Sequence, residues 1–145
     1  MKPHTLLMML AIVIFTLGIT SGSQAQIDPR PILRADIPFD FIAGGMQLPA
    51  GQYTLLHVGG ANTIMLRNAQ GHGEALLRVS VSEVNPQDAT TMLTFTQYGN
   101  KIFLSEVWTA QDNQVHKCFK CREEQTLEAQ KGQPGNITIT TQPSR

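Results

Sequence analysis

The chain has 145 residues, of which 41% are hydrophobic and 15% charged, and its 11 Lys and Arg residues balance 11 Asp and Glu residues. This length is enough for one domain with a substantial core. The cations are scattered along the chain. Composition therefore argues against nucleic acid as a partner, because its recognition depends on clustered positive charge.

The N-terminus has the pattern of a secretory signal peptide. Lys2 supplies a positive charge, 6–19 is mostly apolar, and Ser23 and Ala25 are small residues at the two positions that a signal peptidase recognises. We therefore predict a signal peptide over 1–25, cleaved after about Ala25, and a secreted or periplasmic protein. The apolar run is about 14 residues long, shorter than the roughly 20 that span a bilayer. The alternative is an uncleaved N-terminal anchor, which would be the protein's only attachment to a membrane.

The first part of the mature chain predicts a short lead-in followed by paired strands. Two prolines within 26–35 indicate an extended lead-in. In the next stretch, 37–55, Phe39 and Phe41 alternate with polar residues, which is the two-residue period of a strand. Glycine and proline clusters then predict turns before the chain resumes an apolar alternation at Tyr53.

The second part predicts more strands and one helix. The clearest alternation is at 74–82, where one face is almost wholly apolar and the other mostly polar, as in an antiparallel sheet with one solvated face. Residues 91–97 and 101–108 predict a hairpin with a Gly-containing loop. Residues 121–131, rich in Glu, Gln, Ala and Leu, predict the single helix. Residues 132–145 are predicted as a tail or an edge strand.

Strands thus recur about every ten residues without the long helical segments of a βαβ unit. We predict an all-β fold, an antiparallel sandwich or partly open barrel of six to eight strands with one short C-terminal helix. The β domain with its helix is expected over 36–131.

One candidate site is formed by Cys118 and Cys121. In an exported protein this pair is first a disulfide candidate, although the closed loop would be very small. Neighbouring cations would instead lower a thiol pKa and favour a redox role; they are His116, Lys117, Lys120 and Arg122. A metal set of His116, Cys118 and Cys121 is a further alternative, but it lacks the fourth ligand of a structural zinc site. The pair could also link two chains.

A second candidate is a ligand-binding patch of Tyr98, Glu106 and Trp108. Strict alternation places Glu106 on the same strand face as Ile102, Leu104 and Trp108, so its carboxylate needs a partner. Aromatic residues at strand spacing are more often core than binding surface, but Tyr98 and Trp108 lie at or near loops. No nucleophile, base and orienting group can be assembled, so we expect neither a catalytic site nor a cofactor.

Two segments carry a resemblance to a known group. The stretches Ile37–Thr54 and Phe95–Trp108 match the pattern PFDF…LPAGxYT…YGxxxFLSEVW. In this respect the chain resembles a functionally uncharacterised group of small secreted bacterial β-rich proteins. The resemblance implies export and a β-rich domain, and it implies no activity. Members often continue into a charged helical segment, and the two cysteines of this chain depart from that pattern.

The sequence therefore predicts an exported, non-enzymatic binding or structural module of the cell envelope or extracellular space. An envelope protein or a glycan is the expected class of partner. The alternative is a thiol-based redox or metal-binding protein that uses Cys118 and Cys121.

Overall fold

The computed structural model describes residues 30–60, 62–85 and 90–143, so the predicted signal peptide lies outside the described residues. The fold is all-β with one short helix near the C-terminus, as predicted. The described residues form eleven strands, more than the six to eight expected, because several strands of two or three residues are too short to show alternation. The strands are β1 (Arg30–Ile37), β2 (Phe41–Ala43), β3 (Met46–Leu48), β4 (Gly51–His57), β5 (Thr63–Asn68), β6 (Gly73–Glu83), β7 (Met92–Tyr98), β8 (Lys101–Thr109), β9 (Gln114–Cys118), β10 (Gly135–Thr140) and β11 (Gln142–Pro143).

The strands form two sheets that share β6. The first sheet has the order β6-β5-β4-β1-β11, and the second has the order β10-β7-β8-β9-β6. The first half of β6 pairs with β5 up to Arg78, and the second half pairs with β9 from Val79 onward. A single long strand thus passes from one sheet into the other.

The C-terminal segment connects the same two sheets on their other side. Strand β10 pairs with β7 in the second sheet, and β11 pairs with β1 in the first. Only Thr141 lies between β10 and β11, and its backbone N–H donates to the Thr91 carbonyl over 3.0 Å. The two sheets are therefore joined along both sides, in keeping with a sandwich or flattened barrel.

The hydrophobic core lies between the two sheets. Its centre is aromatic: the Phe41 ring meets Tyr53 and Phe95 edge-on, with centroids 5.4 and 5.6 Å apart. Phe39 contacts the same Phe95 ring at 5.2 Å. Aromatic pairs in this geometry are favourable beyond the area they bury. Fully buried aliphatic residues from both sheets surround them, including Leu33, Ile37, Leu55, Ile64, Leu66, Leu93 and Val107.

The domain begins earlier than the predicted boundary at residue 36. Most of β1 comes from residues assigned to the lead-in, and Leu33 is fully buried opposite Leu55. Pro31 is tolerated because β11 pairs with β1 only at Leu33 and Arg34, and the ladder with β4 has an irregularity next to Pro31.

The helix α1 (Arg122–Lys131) lies almost where the sequence predicted it. It covers a second, smaller apolar cluster of Ile42, Tyr98 and Phe103, against which Cys121 and Leu127 pack. Within the described residues, no helix has the length and apolar character that crossing a membrane requires.

Candidate functional site

A bulge in β8 changes the predicted faces of that strand. Thr94 of β7 pairs with Glu106, whereas its neighbour Phe95 pairs with Leu104, so Ser105 is an extra residue. Beyond the bulge the alternation reverses, and Val107 joins Leu104 in the main core. The prediction that Glu106 shares a face with Leu104 was therefore wrong, because strict alternation assumes a ladder without a bulge.

Glu106 and Trp108 lie together on the surface of the second sheet. The Trp108 indole Nε1–H donates to Glu106 Oε2 over 2.9 Å. The Lys117 ammonium, on the neighbouring strand β9, lies 3.5 Å from Glu106 Oε1. The carboxylate thus has two partners within the sheet, and an exposed ion pair of this kind contributes little to stability.

Tyr98 lies far from that pair. It ends β7, whereas Trp108 pairs with Met92 at the other end, which separates them by about 20 Å along the strand. Tyr98 is only 2% exposed, its ring contacts Phe103, and its hydroxyl has no hydrogen-bond partner among the described residues. Burial raises the pKa of this phenol. The predicted patch of Tyr98, Glu106 and Trp108 is therefore not assembled.

The two cysteines are free thiols that pack against different clusters. Cys118 packs against the main core between the sheets, and Cys121 packs against the cluster beneath α1. Burial, with Glu124 and Glu106 nearby, raises the pKa of the Cys118 thiol to about 12. The predicted lowering of a thiol pKa is wrong for Cys118, because desolvation outweighs the cations nearby in the sequence.

His116 lies in the core next to His57. The side chain is fully buried, neither ring nitrogen has a hydrogen-bond partner in the described chain, and the two ring centroids are 5.1 Å apart. Burial lowers the pKa of both imidazoles, and the neighbouring His57 lowers that of His116 further. Across the described ranges no three His, Cys, Asp or Glu side chains are arranged to hold a metal ion, so the alternative set of His116, Cys118 and Cys121 is not assembled.

A pocket of about 680 Å³ lies on the outer face of the first sheet. Its floor consists of side chains from β1, β4 and β5. Thr54 of β4 pairs with Arg34 on one side and with Arg67 on the other, so these three residues form a row across the sheet. We call Arg34, Thr54 and Arg67 the arginine row.

Neither arginine of this row is neutralised within the described part of the chain. The ion pairs there join Lys101 to Glu123, Lys117 to Glu106 and Lys120 to Glu128. Arg34 is exposed, whereas Arg67 is half-buried and its Nε–H is buried without an acceptor among the described residues. A buried donor without an acceptor is costly and unusual, so this Nε–H needs an explanation.

Two further features border the arginine row. Asp36, two residues from Arg34 on the same strand, also lines the pocket and is its acidic component. On the other side of the row, Leu56 pairs with Pro31, and both line the pocket. Pro31 is exposed, whereas Leu56 is buried with 5% of its surface accessible. The pocket therefore has an apolar part next to its cationic part.

The rim near Arg67 is shaped by the turn between β5 and β6. The Asn68 Oδ1 accepts hydrogen bonds from the backbone N–H groups of Gln70 and His72, over 3.1 and 3.0 Å. Its amide also donates to the Glu74 carboxylate. An Asn side chain that binds the backbone ahead of it is a common way to fix a turn. Asn68 thus holds the turn that borders the pocket.

The sequence prediction missed this pocket. Arg34 lay in the predicted lead-in, and Arg67 belonged to neither candidate site. Only the register of β1, β4 and β5 brings the two arginines to the same level.

Comparison with known proteins found no matching family model, and no curated protein or solved structure with significant similarity.

Proposed function

We propose that this protein is an exported, non-enzymatic binding module of the cell envelope or extracellular space, and that it binds an envelope component in the pocket above the arginine row. The pocket carries this proposal: its volume of about 680 Å³ lies within the range of roughly 300–1,000 Å³ typical of ligand sites. Uncompensated cations next to an apolar surface provide both orientation and burial for a ligand. Export is supported by the N-terminal signal pattern and by the resemblance to secreted proteins.

Export can be tested by fractionating the producing cells and sequencing the N-terminus of the purified protein. We expect a chain that begins near Gln26 and is found outside the cytoplasm. The variant Ala25→Phe should retain its signal, because a large residue blocks the cleavage position. An intact, cytoplasmic chain with Met1 would contradict the proposal.

Binding can be tested by filling the pocket. In Thr54→Trp the indole would occupy the space between Arg34 and Arg67, so retention of the protein by a purified envelope fraction should be lost. Thr138→Trp, on the exposed face of edge strand β10, is the matched control and should be retained like the wild type. Equal retention of both variants would refute a role for the pocket.

The thiol alternative has no comparable support. A redox cysteine needs an accessible thiolate, and burial raises the pKa of Cys118 to about 12.

A further inference from the structure

We infer that the pocket binds an amphiphilic oxyanion, with a carboxylate or phosphate group between Arg34 and Arg67 and an apolar chain over Leu56 and Pro31. This inference rests on the proposed function and specifies the chemical class of its ligand. The register of three strands, the unpaired donors and the apolar side of the pocket support it.

The register brings two guanidinium groups to one place. Adjacent strands lie about 4.8 Å apart, so the backbones of Arg34 and Arg67 are separated by about 10 Å, with Thr54 between them. Two long side chains over that distance can converge on one small group. Each guanidinium presents a planar fork of N–H donors that matches the geometry of a carboxylate or phosphate, and the Thr54 hydroxyl is a third donor.

Charge also selects an anion. Within the described residues neither Arg34 nor Arg67 has a carboxylate within ion-pair distance, although Asp36 lines the same pocket. Two cations against one acid leave the pocket positive. The buried Nε–H of Arg67 lacks an acceptor, and an oxyanion above Thr54 would supply acceptor oxygens to that guanidinium.

The apolar side of the pocket indicates that the ligand carries an apolar chain in addition to its anionic group. Leu56 lies two residues from Thr54 on β4, about 7 Å along the strand, and Pro31 pairs with Leu56 on β1. A chain of several methylene groups attached to the head group would cover the exposed Pro31 ring and the small accessible part of Leu56. Each methylene removed from water adds about 0.8 kcal/mol of favourable transfer free energy.

Isothermal titration of the mature protein with octanoate and octyl phosphate tests this inference, with 1-octanol and octylamine as neutral and cationic controls of equal chain length. We expect at least one anion to bind and both controls to fail, and the preferred anion identifies the head group. Arg34→Gln and Arg67→Gln should each weaken binding about tenfold or more. Arg78→Gln, an exposed arginine outside this pocket, should leave it unchanged.

The possible outcomes separate this inference from the proposed function. If 1-octanol binds as tightly as the anions and Thr54→Trp abolishes its binding, the requirement for an oxyanion is refuted. The pocket would then still be a ligand-binding site. If acetate or inorganic phosphate binds as tightly as the long-chain anions, the apolar part is refuted. If no amphiphile binds at about 10 mM, the whole inference is refuted, and the envelope-retention test still decides the proposed function. Arg34 is exposed, so Arg34→Gln keeps the test valid even if Arg67→Gln unfolds the protein.

Discussion

The imidazoles of His57 and His116 contact each other edge-on with ring centroids 5.1 Å apart, and His116 is fully buried. The two residues come from different sheets, since β4 belongs to the first sheet and β9 to the second. Neither His116 nitrogen has a partner within the described ranges. A proton on either ring would therefore be poorly solvated and close to a second imidazole.

This pair predicts that the free energy of unfolding decreases as the pH falls from 7.5 to 5.5. Burial lowers the pKa of both histidines in the folded state, while in the unfolded chain they titrate near the ordinary value of about 6.5. Below that value the unfolded chain binds more protons than the folded one, so stability is full above about 6.5 and is lost as the pH falls through the folded pKa. Urea denaturation at each pH measures this dependence.

His116→Leu should remove most of the pH dependence of the free energy of unfolding. The matched control, His72→Gln at an exposed loop position, should preserve that dependence. A wild-type stability that stays constant over this range would contradict the assignment. The lower limit of pH 5.5 limits interference from Glu124, whose pKa is raised by burial and whose titration acts in the opposite direction.

The backbone conformation and surroundings of Gly44 predict a large loss of stability when this residue is replaced by alanine. Its φ is +59°, and a Cβ at this position would collide with the backbone carbonyl of Leu76. We expect Gly44→Ala to lower the free energy of unfolding by about 2–4 kcal/mol, from the left-handed backbone together with the collision. Gly59→Ala isolates the first contribution, because Gly59 has a φ of +67° and open space around it. Equal losses in the two variants would show that the turn between β2 and β3 does not approach Leu76 of β6 as closely as described.

The C-terminal strand predicts a loss of stability when its inward side chains are removed. Ile137 and Ile139 of β10 are half-buried and pack against the main core, and Ile139 pairs with Leu93. Ile139→Ala should cost about 1–2 kcal/mol, below the range for a fully buried isoleucine. Thr138→Ala, on the exposed face of the same strand, should cost less than about 0.5 kcal/mol. Thermal unfolding of the two variants measures the difference.

The cysteines predict unequal reactivity toward an alkylating reagent. At pH 8 a thiol with a pKa of about 12 is almost entirely protonated, and the half-buried Cys118 packs against the main core. Cys118 should therefore react with iodoacetamide at least about a hundredfold more slowly than a free cysteine. Mass spectrometry of Cys121→Ala and Cys118→Ala variants, with and without denaturant, follows each site alone. Rapid modification of Cys118 in the native protein would contradict its packing.

The contacts of Glu106 with Lys117 and Trp108 predict only a small change in the free energy of unfolding when the carboxylate is removed. Its ion pair with Lys117 is accessible to solvent, with the Lys117 and Glu106 side chains 58% and 27% exposed, so Glu106→Gln should change the free energy of unfolding by less than about 1 kcal/mol. Chemical denaturation measures this change, and Lys117→Gln should give a value of similar size. A loss above about 2 kcal/mol would mean that the pair, with the Trp108 hydrogen bond, is an integral part of the sheet.

Much of the fold followed from local patterns. The alternation at 74–82 coincides with β6, the predicted hairpin with β7 and β8, and the single helix differs from the prediction by one residue at its start. These elements are long enough for a period to be visible. Strands β2 and β3 have three residues each and owe their existence to contacts with β8 and with each other.

The candidate site was harder to predict from the sequence than the fold. The bulge at Ser105 has no clear local signal, and it reverses the faces of the residues that follow. The arginine row depends on the mutual register of three strands, which a single sequence does not determine. Arg34 and Arg67 are 33 positions apart in the chain, and they meet only because Thr54 pairs with both.

The pairing of β1 with β11 places the first and last described strands side by side. Leu33 and Pro143, which pair at this edge, are 110 positions apart in the sequence. A contact between such distant parts of a chain has a high loop-closure entropy cost and forms slowly. The strand that covers β1 is therefore expected to join the first sheet late in folding, after the local hairpins have formed.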